Sequence, residues 1–212
     1  MADPVEVLDY WIGELGPDGW YAGDAATDAE CRLRFADLWQ AAADGGLEHW
    51  VDGTVGTLAY LVVTDQMSRN IHRGTALAFA TDPLALAAAK RAVAQGWDLG
   101  APEPERQFFY LPFEHSEVPE DQDRAVDLIG GRLPEGGAET LLHARAHREI
   151  IRQFGRFPFR NAALGRVSSA GEEAFLAEGG YGALVRKLQA EAMHQAQGAA
   201  ARRFVAAAKK TV

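Results

Sequence analysis

The sequence predicts an all-α fold of stacked antiparallel helical hairpins, and three observations carry that expectation. Residues that cap helices recur along the chain, and apolar residues between them fall three and four apart. No stretch with period-two alternation offers a strand partner to another. The 212 residues, 48% hydrophobic and 24% charged, suit one domain over 1–212 with a core of its own.

The elements are legible in order. Asp3-Pro4-Val5-Glu6 has the form of a capping box with proline in the first turn, and Val7, Leu8, Trp11, Ile12 and Leu15 follow on one face before Gly16. Thr27-Asp28-Ala29-Glu30 has the same form and leads into the stripe Cys31, Phe35, Leu38, Trp39 and Ala42, which ends at Gly45-Gly46. Thr57–Thr64 contains the strand-like Val62-Val63-Thr64 but is read as a buried helix, because no partner strand exists. Asp82-Pro83 opens an alanine-rich helix that closes at Gly96, and another begins near Pro119 and ends at Gly130-Gly131. A helix from about Thr140 to Phe154 stops at Gly155. Ser169-Ala170-Gly171-Glu172 caps a short one, and a long alanine-rich helix covers about 181–210. Short connections between such helices imply antiparallel neighbours, although no tetratricopeptide consensus repeats along the chain.

Charge narrows the function classes. The net charge of −9 argues against nucleic acid or an anionic membrane as partner of the whole chain. No apolar run is long enough to span a bilayer. The opening Asp3, Glu6 and Asp9 do not resemble a signal peptide, so a cytoplasmic location is expected. The lone Cys31, on an apolar stripe, reads as core packing. Acids and bases are unevenly placed. Residues 1–64 hold twelve acids and only Arg32 and Arg34, whereas 143–166 hold six arginines, two histidines and the single acid Glu149.

Three segments concentrate the unusual polar residues. In Asp65–Arg73, ideal helical geometry puts Asp65 on the face of Leu58, Leu61 and Val62, with Arg69 one turn on as its partner and Arg73 as a second guanidinium. In Phe108–Glu117, an aromatic run around Pro112 delivers Glu114, His115 and Glu117 to a loop or helix end, a set suited to acid–base work. In His143–Arg166, His143, His147, Ile150 and Phe154 share one stripe, while Arg145, Arg148 and Arg152 turn to solvent. His143 and His147 have the spacing of two imidazoles on one metal, but no third ligand follows in a known pattern, so no metal is assigned. Beyond Gly155, Arg156-Phe157-Pro158-Phe159-Arg160-Asn161 and Arg166 stand on a stiff, anchored loop without a nearby acid. That suits anion binding, or pairing with Asp65, Glu114 or Glu117 in a structural network.

The stretches Asp65–Gly74, Phe108–Glu117 and Phe154–Arg166, with the opening Val7-Leu8-Asp9-Tyr10-Trp11 and the Asp82 helix, resemble the bacterial family known as domain of unknown function 924 over about residues 5–185. The resemblance implies a tetratricopeptide-like helical fold and no known activity. It also implies a recurrent polar set at Asp65, Gln66, Arg69, Asn70, Arg73, His115, Ser116, Glu117, Gln122, His147, Arg156, Arg160, Asn161 and Arg166. The chain departs at Met67-Ser68, where the family commonly has an aromatic residue and proline, and at Phe159, where it commonly has histidine.

Three functions compete on these residues. The first is binding of a small anionic ligand, with Arg69, Arg73, Arg156 and Arg160 as contacts and Asp65, Asn70, Asn161 and Arg166 around them. The second is a hydrolase-type enzyme with His115 as base, Glu117 or Glu114 orienting it, and His147 in the same site. The third is a peptide-binding module of helical-repeat type. The sequence names no cofactor and no oligomeric state.

Overall fold

The computed structural model describes residues 3–208, with side chains as far as 198, and every regular element among them is helical. Helix α1 (Pro4–Leu8) is capped by Asp3, whose carboxylate accepts the Glu6 N–H at 3.0 Å, and runs on as a π-helical stretch, Asp9–Leu15. A short α2 (Gly16–Trp20) follows. Helix α3 (Ala25–Ala43) opens earlier than the Thr27 motif predicts. The Asp24 carboxylate takes the N–H groups of Ala26 and Thr27, at 2.9 Å each, so the Thr27 motif lies inside the first turn. Its expected stripe of Cys31, Phe35, Leu38, Trp39 and Ala42 is buried.

Helix α4 (Thr54–Leu61) is buried from Thr57 onward, so the strand-like valines belong to a helix. It passes through a second π-helical stretch, Val62–Met67, into the single turn α5 (Ser68–Ile71). Helix α6 (Asp82–Gln95) stops at Gly96, whose φ of +73° is left-handed. Pro112 sits in the first turn of α7 (Leu111–Glu114). Helix α8 (Pro119–Arg132) is followed by α9 (Ala138–Phe154), which Gly155 ends at φ +70°. Helix α10 (Ala170–Ala177) has the predicted capping box of Ser169 with Glu172, and α11 (Gly180–Ala208) closes the described chain.

The short 133–137 connection folds α9 back along α8 as an antiparallel pair, and α11 also packs against α9. In the N-terminal half, α1 lies on α4, α3 on α5, and α4 on α6. The short α7 touches α6, α8 and α9, so it is the joint between these halves. One large core runs from Val7 to Ala144 and includes Trp11, Phe35, Leu61, Met67, Phe108, Phe109 and Tyr110. A second, smaller cluster of Ile150, Ile151 and Phe157, with Phe154, Phe175, Tyr181 and Leu184 against it, holds α9, α10 and α11 together. No described helix is long and apolar enough to cross a membrane.

Candidate functional site

Two of the three polar segments meet through Asp65. Asp65 lies in the π-helical stretch Val62–Met67, about one turn before Arg69. Asp65 Oδ1 lies 3.9 Å from Arg69 and only 2.7 Å from Nδ1 of His115. His115 is placed there by α7, which the buried Phe108, Phe109 and Tyr110 anchor and which ends on it as a cap. Burial opposes the charge of Asp65. His115, Arg69 and the Gln66 side chain outweigh that, and the carboxyl stays below its ordinary range. An ionised carboxylate only accepts, so the hydrogen bond runs from the Nδ1–H of His115 to Asp65.

His147 repeats the arrangement from α9. Its Nδ1 is 2.5 Å from Glu114 Oε1, close but poorly aligned for a hydrogen bond. Burial pushes the imidazole below its usual 6.5 more than Glu114 lifts it, with His115 and Arg160 adding to the depression, so His147 is neutral at pH 7. The His115 and His147 rings are 6.1 Å apart and nearly perpendicular, and Phe157 packs edge-on against His147 at 5.3 Å.

Both imidazoles line one cavity of about 560 Å³, within the range of small-molecule sites. Its walls come from distant parts of the chain: Trp20 and Tyr21 at the end of α2, Gln107 and Leu111 around α7, Glu139, Thr140 and His143 on α9, and Tyr181 at the head of α11. The Tyr181 ring packs tilted against His147 with ring centres 4.7 Å apart, and its hydroxyl is hydrogen-bonded to Nδ1 of His143. Sequence reading passed over Trp20, Tyr21, Glu139 and Tyr181, because nothing local separates a cavity aromatic or a rim acid from any other. For Tyr181, the Gly179-Gly180 pair before it marks only a helix start.

The remaining predicted residues lie outside this cavity. Glu117 does not orient His115. It takes two hydrogen bonds from Arg166, at 2.8 and 3.0 Å, and the Phe157 N–H at 2.8 Å. Burial opposes its charge, but Arg166 and that N–H hold it below the ordinary carboxylate value. Arg156 forks onto Glu172 at 2.6 and 2.8 Å, and Arg73 onto Asp28 at 2.5 and 2.7 Å, where Asn70 joins at 2.9 Å. Arg69 and Arg160 share Asp82, at 2.7 and 3.0 Å, and both stack on Phe79. Burial, with Arg69 beside it, brings Arg160 down to about 10, still charged at neutral pH. Asn161 donates to Ser168 at 3.0 Å. The arginines that have no acid nearby in sequence therefore each have one in space, and none lines the cavity. Arg148 and Arg152, expected toward solvent, reach Asp123 on α8 at 3.3 and 2.9 Å.

Among the described residues, no group of three or more His, Cys, Asp or Glu side chains is placed to hold a metal ion. A family model described as a bacterial protein of unknown function, DUF924, matches residues 7–180. A solved structure of a protein of unknown function from Agrobacterium tumefaciens is 42% identical, with a TM-score of 0.77, covering 82% of this chain and 97% of that one. No curated protein matches.

Proposed function

The chain belongs to the bacterial family of unknown function DUF924, and we propose that this member is an acid–base enzyme of hydrolase type working in the cavity that His115 and His147 share. One observation carries the reading: two imidazoles, each with a buried carboxylate at Nδ1, open onto the same small-molecule-sized space. A carboxylate at Nδ1 fixes the tautomer and stabilises the imidazolium that forms when Nε2 takes a proton. In this reading His115 is the general base. Nε2 takes a proton from water as the water oxygen bonds to the electrophilic carbon, and returns it to the leaving group as that bond breaks. Asp65 positions His115, and His147 with Glu114 lies across the substrate from it.

The anion-binding reading has less support, since every arginine of its set is already paired with a carboxylate. A peptide groove of the helical-repeat kind is also less favoured, because the cavity is compact and carries titratable groups at its walls. The test has two parts. Imidazole ¹⁵N spectra at neutral pH should show His115 with its proton on Nδ1, and Asp65→Asn should disturb that tautomer. A panel of small esters, amides and amidines should yield turnover that His115→Asn lowers by about a hundredfold or more. An Nε2-protonated His115, or turnover indifferent to His115→Asn, sinks the proposal.

A further inference from the structure

Glu114 is only 2% exposed, yet its carboxylate is only half met. Its Oε1 meets His147 out of line, and its Oε2 has no hydrogen-bond partner. The main-chain carbonyl of Glu114 is held by the Gln122 amide, so the residue is fixed in place while its Oε2 remains unmet. A buried carboxylate left in that state is costly unless something with a donor or a positive charge completes it.

The rest of the wall points the same way. Glu139 adds a second carboxylate at the exposed rim, and neither lysine nor arginine lines the cavity. His147 is neutral, so it offers Glu114 no compensating charge. Trp20, Tyr21 and Tyr181 supply aromatic wall, a surface of the kind that attracts cations.

We propose that the cavity selects an organic cation, a substrate with a protonated amine or amidine on an aromatic or apolar body, and that Glu114 receives the charged nitrogen while Glu139 and the aromatic wall of Trp20, Tyr21 and Tyr181 complete the subsite. This deepens the acid–base reading and rests on the cavity being its substrate site. It assigns Glu114 a binding role through Oε2 beside its contact with His147. An anion is rejected because it would face two carboxylates, and a neutral isostere leaves the charge of Glu114 unmet.

Titration calorimetry with benzylamine, benzyl alcohol and benzoate on the intact chain tests it. Benzylamine, protonated at neutral pH, should bind about tenfold or more tightly than the alcohol, and benzoate should not bind. Glu114→Gln should remove about tenfold of the amine affinity, checked on protein whose thermal unfolding is still cooperative. Glu139→Gln changes only the exposed rim, so it should weaken the amine by a smaller factor whether or not Glu114→Gln folds. Equal or tighter binding of the alcohol or of benzoate overturns the proposal, as does no amine binding to folded protein. Those results leave the tautomer and turnover of His115 as the separate measure of the acid–base reading. Conversely, amine binding with an Nε2-protonated His115 would retain this subsite and dismiss the chemistry.

Discussion

Asp65 does not line the cavity, yet the proton on His115 depends on it. Asp65→Asn is nearly isosteric and removes a charge that His115 and Arg69 both use. Turnover should fall by about a hundredfold or more, with a smaller change in substrate affinity, read as kcat against KM. Phe157 makes a different contribution. It is fully buried against His147, and Phe157→Ala should cost about 3–5 kcal/mol in urea unfolding, because it opens a cavity under the imidazole. At this scale the histidines were legible in the sequence and their partners were not. His115 stands out beside its aromatic run and the Asp65–Arg69 pair is present at 3.9 Å, but nothing local shows that His115 lies closer to Asp65, at 2.7 Å. Glu117, two residues on in sequence, is a natural candidate to orient His115, yet the turn after α7 carries it to Arg166 instead.

Helices were legible wherever their ends are marked by local chemistry. Asp82-Pro83, the Ser169 box, Gly96 and Gly155 each act through atoms within one turn, so reading them requires no knowledge of the fold. Ser169→Ala should therefore cost α10 about 1 kcal/mol, seen as a lower unfolding midpoint with no change in the tautomer of His115. Gly155→Ala should cost about 1–2 kcal/mol, since a side chain at φ +70° meets the preceding carbonyl. The two π-helical stretches and the short α7 were not legible. Their geometry depends on what packs around them, and α7 is fixed by contacts to α6, α8 and α9 rather than by a cap.

For the molecule as a whole, the pairing of acids with bases predicts how it responds to acid. His147 and His72 are both held below their ordinary 6.5, mainly by burial. The unfolded chain therefore binds protons more readily just beneath that value, and stability falls as pH drops through it. Asp65, Asp28 and Glu117 are held below their ordinary values, so their contribution is present above those values and is lost only as pH falls through the lower, folded ones. Urea midpoints should decline in two stages, the first below about pH 6.5 and the second below about pH 4.5. His147→Gln should flatten the first stage without moving the second. An unchanged midpoint between about pH 7 and 5 would contradict this account. Long-range pairings such as Arg160 with Asp82 and Arg156 with Glu172 also belong to this scale, and that is why the sequence showed those arginines as uncompensated.

The cavity does not share its walls evenly between the two cores. Trp20 and Leu111 belong to the large one, whereas Tyr181 is held by the small cluster of Ile150, Ile151 and Phe157. Partial unfolding draws first on the least buried cooperative unit, so that cluster should open at a lower free energy than the rest. Amide hydrogens in the first turns of α11 should then exchange well before those of α4. A ligand that bridges Glu114 and Tyr181 would slow their exchange selectively, so it would act as a thermodynamic clamp on the weaker part of the protein.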